Sequence, residues 1–214
     1  VCSSDLAQRE IDRALVPAAG LSEPAVARAV VGALGKPGLP GSLVLSSSMP
    51  IRDVEWYAAV PERARVYSNR GANGIDGVVA TGIGVALADG PTAVLIGDVA
   101  FLHDSSSLVA LARRGADLRI VVIDNDGGGI FSFLGQATAV ERERFEQLFG
   151  TPHGTDLLAL ARAHDLRVQA ATDAEQLERA LGEPGPSVTL VRTNRESNVV
   201  VHRQINAAVH AALG

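Results

Sequence analysis

The sequence predicts an α/β fold: a doubly wound, mostly parallel sheet flanked by helices. Three observations carry this. Short apolar runs recur along the chain, helix-length segments separate most of them, and the runs are apolar at consecutive positions rather than at alternate ones. A strand apolar on both faces is covered on both faces, the situation of a parallel strand between crossover helices.

The elements follow in order. Val1-Cys2-Ser3-Ser4-Asp5-Leu6 has no periodicity, no initiator Met opens the chain, and Met49 is the only Met. The opening resembles the translation of a sequencing adapter, so the expectation is a truncated reading frame whose residues 1–6 are artefactual and whose Cys2 has no functional weight. Residues 1–41 are expected to be the remainder of a preceding domain and its linker, and residues 42–214 the domain that carries the site. Ser22-Glu23-Pro24 followed by AVARAVVGAL predicts a capped helix, with Pro in the first turn and Gly35 at its end. KPGLPG, at 36–41, is a turn-rich connector. Strands are then predicted at Ser42–Leu45, Arg65–Tyr67, Ala93–Ile96, Leu118–Ile123, Val168–Ala170 and Val188–Val191. Helical patterns lie at Asp53–Ala59, Ile75–Ala88, Ser105–Arg113, Asp156–His164, Ala174–Leu181 and Asn198–Leu213. Phe133 to His153 breaks the alternation with an amphipathic charged stretch, ERERFEQLFGTPHG. Its position after a strand allows two readings, a surface insertion or an active-site flap.

Composition narrows the function. The chain of 214 residues is 47% hydrophobic with a net charge of −5, which fits a globular, aliphatic-cored protein and argues against nucleic acid as a partner. A single cysteine excludes an internal disulfide framework and fits a reducing compartment. No apolar stretch approaches the ~20 residues that span a bilayer, and no signal-peptide pattern is present. The expected location is cytoplasmic.

The chemistry is concentrated between Thr92 and Phe131. One apolar run ends in Gly97-Asp98, a helix-length segment follows, and a second run ends at Asn125 before Gly127, Gly128 and Gly129. The interval of 27 positions holds one helix and one strand, so both side chains return to one sheet edge by a right-handed crossover. Open α/β sheets bind their ligands at that edge. A carboxylate and an amide oxygen beside exposed backbone suit a hard divalent cation that also binds phosphate. The glycines allow close backbone approach, and one carbonyl among them is a candidate third ligand. Each string alone is equally compatible with helix caps and turns.

Taken together, GD, an interval of this length, and N with a Gly-rich turn resemble the motif of thiamine-diphosphate enzymes, the superfamily of pyruvate decarboxylase and acetolactate synthase. That resemblance implies that Asp98 and Asn125 give side-chain oxygens, and Gly127 a backbone carbonyl, to Mg²⁺ or Mn²⁺ bridging to the cofactor's diphosphate. Asn125-Asp126 stands where the superfamily often has Asn-Asn, which leaves the ligand position intact. The strings SSSMPIRD (46–53), YSNRGANGIDG (67–77), GDVAFLHD (97–104), DNDGGGIFSFL (124–134), FEQLFGTPHGTDL (145–157) and TNRESNV (193–199) are similar to a narrower family. These are the 2-succinyl-5-enolpyruvyl-6-hydroxy-3-cyclohexene-1-carboxylate synthases of menaquinone biosynthesis, in their C-terminal domain.

The narrower resemblance implies decarboxylation of 2-oxoglutarate and its condensation with isochorismate, in a homo-oligomer (dimer or tetramer). Those two substrates together carry four carboxylates, and arginine offers bidentate carboxylate recognition. Arg52 and Arg70 are thereby assigned to substrate, with Ser48 assisting. Ile75 matches the aliphatic residue that holds the cofactor bent. Gly71, Asn73, Gly74, Gly97 and Val99 fall in the cofactor's surroundings, and Ile130 and Phe131 line its pocket. The glutamate that activates the cofactor is expected on a separate N-terminal domain, so no catalytic residue is assigned here and this chain alone is expected to be inactive. His103 and His153 receive no role, because no partner for either is visible in sequence. Two other readings stay open: a different thiamine-diphosphate enzyme, acetolactate-synthase-like, and a module that only binds the cofactor.

Overall fold

The computed structural model describes residues 3–15, 20–69 and 74–214. Its centre is a six-stranded sheet with every pairing parallel. The strands are β1 (Ser42–Leu45), β2 (Arg65–Ser68), β3 (Thr92–Gly97), β4 (Leu118–Asp124), β5 (Arg167–Ala170) and β6 (Ser187–Arg192), in the order β2-β1-β3-β4-β6-β5. All six predicted strands are present, each within about two residues of its predicted ends, the usual uncertainty of a helix or strand boundary. The predicted fold class is the observed one.

The helices are α1 (Ser3–Ala14), α2 (Glu23–Ala33), α3 (Met49–Tyr57), α4 (Val78–Asp89), α5 (Asp98–His103), α6 (Leu108–Arg114), α7 (Gln136–Ala139), α8 (Arg142–Phe145), α9 (Leu157–Arg162), α10 (Ala174–Gly182) and α11 (Arg195–Leu213). Alternate residues of the central strands serve two separate cores, as a pleated strand requires. Val44, Val94, Ile96, Ile120, Val122, Val188 and Leu190 pack with residues of α4, α5, α6 and α9 on one face. Leu43, Leu45, Ala93, Leu95, Val121, Ile123 and Val191 pack with α2, α3 and α10 on the other. Gly82 lets α4 lie close on β3, since a Cβ there would crowd the Val94 side chain.

Three departures from the sequence reading have physical reasons. The helix expected from Ile75 starts at Val78, because Gly77 occupies the left-handed region at φ 67° and marks the turn into it. The helix expected at Ser105–Arg113 is present as a 3-10 turn, Ser105–Ser107, leading into α6, and an additional helix, α5, begins at Asp98 itself, directly off β3. Packing breaks also fail to fall at residue 41. The α2 residues Val26, Ala27, Val30 and Val31 are fully buried against the sheet, so this helix belongs to the same layer as α3 and α10. Residues 3–14, where no periodicity was expected at the start, form a helix that packs on α11. Among the described residues no helix is long and apolar enough to cross a membrane.

Candidate active site

The carboxyl ends of β1, β3 and β4 converge, beside the position where the chain reverses its direction of travel across the sheet (β2 on one side of β1, β3 on the other). A cavity of ≈ 440 Å³ opens there. Its size is that of a small-molecule or cofactor site. Each sequence-predicted residue can now be located. Asp98, Gly97 and Val99, from the β3–α5 junction, line the cavity together with Asn125 and Gly127 from the end of β4. Ile130 and Phe131 follow on the 3-10 turn Gly129–Phe133, and Ser48 and Arg52 come from the β1–α3 connection. Gly74 and Ile75 complete the set from the approach to α4. Arg70, Gly71 and Asn73 lie outside the described residues. His103, on α5, is exposed.

Asp98 is the knot of the site. It is 2% exposed, and its Oδ2 accepts hydrogen bonds from the backbone N–H of Asn125 (3.1 Å) and of Gly127 (2.9 Å). Oδ1 accepts from Val99 N at 2.7 Å. One carboxylate therefore pins the end of β3 to the end of β4 and to the glycine turn. Burial raises its pKa above the usual carboxylate range; the N–H groups of Gly127 and Val99 and the nearby His153 oppose that rise.

Asn125 is held by its nitrogen. Nδ2 donates to Glu23 Oε1 at 2.9 Å, and its own Oδ1 is buried without a hydrogen-bond partner. A buried acceptor with no donor is costly, and native structures keep such atoms where a ligand or ion completes them. The donor set matches a hard cation: a buried carboxylate, an orphaned amide oxygen and a turn of small residues whose carbonyls keep a second lone pair.

The turn after Asn125 is shaped by contacts that only glycine allows. Gly127 has φ 136°, and a Cβ on it would collide with the Gly150 carbonyl oxygen. Gly128 N donates to that same carbonyl at 2.8 Å. Asp126, at φ 58°, accepts at Oδ1 from His153 N (2.9 Å) and Gly154 N (2.8 Å), which pulls its carboxyl below the usual range. The segment of undecided role is thus part of the site at its distal end. It runs through α7, α8 and a π-turn, Glu146–Gly150, and Thr151 reaches the cavity wall. Arg195 at the start of α11 anchors it through Glu146 (2.8 Å), and Phe149 packs between Phe131 and Phe145.

Two residues passed over in the sequence reading belong here. Glu23 is 1% exposed, lines the cavity and has a pKa raised to about 7, mainly by burial. The S-E-P string marked it only as the first turn of a helix. His153 places Nε2 3.4 Å from Asp98 Oδ2 and 3.9 Å from Asp124 Oδ1, while its Nδ1 accepts from Thr155 N at 3.0 Å. That bond leaves the ring proton on Nε2, facing the two carboxylates. Neither contact has a sequence signal: Glu23 lies 102 positions from Asn125, and no motif or strand-end interval links His153 to Asp98.

At Ser48 the backbone is strained, φ 80° and ψ −135°, a region a non-glycine residue occupies at a cost of about 1–3 kcal/mol. One turn later Arg52 Nη1 donates to the Ser48 carbonyl at 2.7 Å. The bond uses one guanidinium donor and holds the head group beside the cavity.

Comparison with known proteins identifies the family. The family described as thiamine pyrophosphate enzyme, C-terminal TPP binding domain, matches residues 54–191. The 2-succinyl-5-enolpyruvyl-6-hydroxy-3-cyclohexene-1-carboxylate synthase of Myxococcus xanthus is 46% identical over 201 residues, 91% of this chain and 33% of the relative. The enzyme of the same name from Kineococcus radiotolerans is 44% identical over 211 residues, 97% of this chain and 38% of the relative. The chain therefore spans about a third of the length of these curated relatives. Among solved structures, a thiamine diphosphate-dependent 4-hydroxybenzoylformate decarboxylase from Rhodococcus jostii RHA1 superposes with a TM-score of 0.66 at 23% identity, covering 83% of this chain and 33% of that one. Benzoylformate decarboxylase from Polynucleobacter necessarius gives 0.63 at 19% identity, covering 80% of this chain and 33% of that one. Both likenesses concern the fold. With more than half of its length matched, this chain belongs to the family of C-terminal TPP-binding domains of thiamine pyrophosphate enzymes.

Proposed function

We propose that the cavity binds thiamine diphosphate through Mg²⁺ (or Mn²⁺), and that the chain serves as the diphosphate-binding part of a 2-succinyl-5-enolpyruvyl-6-hydroxy-3-cyclohexene-1-carboxylate synthase. The observation that carries this is the orphaned Asn125 Oδ1 beside the buried Asp98 carboxylate, at the adjoining ends of β3 and β4. In this reading Asp98, Asn125 Oδ1 and the Gly127 carbonyl hold the cation. Gly97 and Val99, with Gly71, Asn73 and Gly74, surround the cofactor, while Ile75, Ile130 and Phe131 give it apolar walls.

The chemistry that thiamine diphosphate supplies when bound is addition to a 2-oxo acid and stabilisation of the charge left as CO₂ departs. This chain's residues do the remaining work. Arg52, its guanidinium held at Nη1 by the Ser48 carbonyl, and Arg70 bind carboxylates of 2-oxoglutarate and isochorismate; a fixed guanidinium loses less freedom on binding than a mobile one. Ser48 assists them. Phe131, packed on Phe149, closes the glycine turn against water. Support for the narrower assignment comes from the relatives at 40–46% identity that bear this name. The activating glutamate comes, in this proposal, from an N-terminal domain within a cytoplasmic homo-oligomer, a dimer or tetramer.

Calorimetric titration of the 214-residue chain with Mg²⁺ and thiamine diphosphate tests the binding claim. Saturable binding is expected in the wild type and none in Asp98→Ala; equal binding by the two would overturn the assignment. Supplying the N-terminal domain in trans, with 2-oxoglutarate and isochorismate as substrates, tests the reaction. Arg52→Ala is then expected to raise the KM for substrate at least about tenfold, the loss of a charged hydrogen bond to carboxylate.

A further inference from the structure

Asn125 can serve a cation only with its oxygen end. An amide presents donor and acceptor ends of nearly equal shape, so its orientation is set by its neighbours. Glu23 is the side chain bonded to that amide. Its Oε1 receives Nδ2 of Asn125 at 2.9 Å and the Oγ1–H of Thr193 at 2.9 Å. The Thr193 hydroxyl donates to the same oxygen, so Oε1 stands as an acceptor whether the carboxyl is ionised or carries its proton on Oε2, and an acceptor there favours the nitrogen end of the amide. Glu23 itself is held in the first turn of α2, where Ser22 Oγ caps Ala25 N at 3.3 Å. Thr193 follows β6 directly, so a helix on the sheet face and the end of a strand beside β4 together fix the carboxylate.

We propose that Glu23 is the positioning residue for the cation site: it grips the Asn125 amide by its nitrogen and leaves Oδ1 as the free acceptor. The inference rests on the reading of the site as one for a cation-bound diphosphate. Glu23 touches neither the cation nor the diphosphate in this scheme; it acts through Asn125. Glutamine at position 23 retains an acceptor of the same reach for Nδ2, whereas alanine retains none.

The experiment is calorimetry on the 214-residue chain with Mg²⁺ and thiamine diphosphate, using wild type, Asp98→Ala, Asn125→Ala, Glu23→Ala, Glu23→Gln and the double variant Glu23→Ala/Asn125→Ala. The expected result is a split. In Glu23→Ala the Mg²⁺ half-saturation at fixed thiamine diphosphate rises about tenfold, whereas thiamine diphosphate half-saturation at saturating Mg²⁺ moves less than about threefold. Glu23→Gln returns the Mg²⁺ value to near wild type. The double variant is no worse than Asn125→Ala, because both changes remove one interaction. An equal loss in both half-saturations, or additive losses in the double variant, would each overturn the positioning role. Wild type that binds nothing, or Asp98→Ala that binds normally, instead overturns the underlying site assignment. Should Glu23→Ala not fold, the wild-type Asn125 side-chain amide decides by NMR. Slow exchange with solvent supports the grip, and free exchange overturns it.

Discussion

At the scale of single residues, the site depends on atoms in positions that only one side chain, or none, can fill. Gly127→Ala would place a Cβ against the Gly150 carbonyl at a φ of 136° that alanine avoids. We expect a loss of about 2–4 kcal/mol in stability, read by chemical denaturation, together with loss of diphosphate binding. A different residue test concerns the buried trio on the far side of α3. Asp53 is fully buried, His202 Nε2 lies 3.1 Å from its Oδ1, and Tyr57 Oη meets His202 Nδ1 at 2.9 Å. Burial, with Asp53's charge second, pushes the Tyr57 phenol up from 10.0 to about 12. The folded state thus keeps a proton that the unfolded chain gives up at pH 10, and stability falls as pH rises from 10 to about 12. Tyr57→Phe should flatten that limb of the stability curve; identical wild-type and variant slopes there would show that the phenol titrates normally.

At the scale of elements, the segment between the glycine turn and α9 acts as a wall of the site rather than a detachable loop. Its inner end is tied by Asp126, by the Gly128–Gly150 bond and by the Arg195–Glu146 pair, whose side chains are 15% and 33% exposed. An ion pair of such partial exposure contributes on the order of 1 kcal/mol or less. Arg195→Ala should therefore leave global stability within about 1 kcal/mol while raising amide hydrogen exchange at Phe149, Gly150 and Thr151. Unchanged exchange would mean that Asp126 and the glycine turn hold the segment by themselves. The central strands were legible in sequence because apolar residues dominate them on both faces, and the edge strands β2 and β5 through a short β-branched or aromatic stretch between turn signals. Helix ends were not: α5 starts on Asp98, a residue whose strand-end role hides its helical one, and Gly77 delays α4.

At the scale of the whole molecule, two cores on opposite faces of one sheet make the fold a single cooperative layer structure, and the site sits where three strands end. A ligand that binds only the folded chain stabilises it by mass action, about 2.7 kcal/mol at a hundredfold excess over Kd. Mg²⁺ with thiamine diphosphate should accordingly raise the melting temperature by several degrees, and either component without the other by much less. A shift that persists in Asn125→Ala would argue for binding elsewhere.

The sequence by itself determined the order of strands and helices, the parallel sheet and the pairing of Asp98 with Asn125 at one edge. Those features are local: apolar runs, turn residues and a fixed interval of 27 positions between two strand ends. Only the tertiary structure decided that Glu23 reaches Asn125 across 102 positions and that His153 stands beside Asp98. It also decided that the Gly150 carbonyl takes the Gly128 N–H and leaves no room for a Cβ at Gly127. Such contacts arise when layers pack, and packing brings together residues whose spacing along the chain carries no periodic signal.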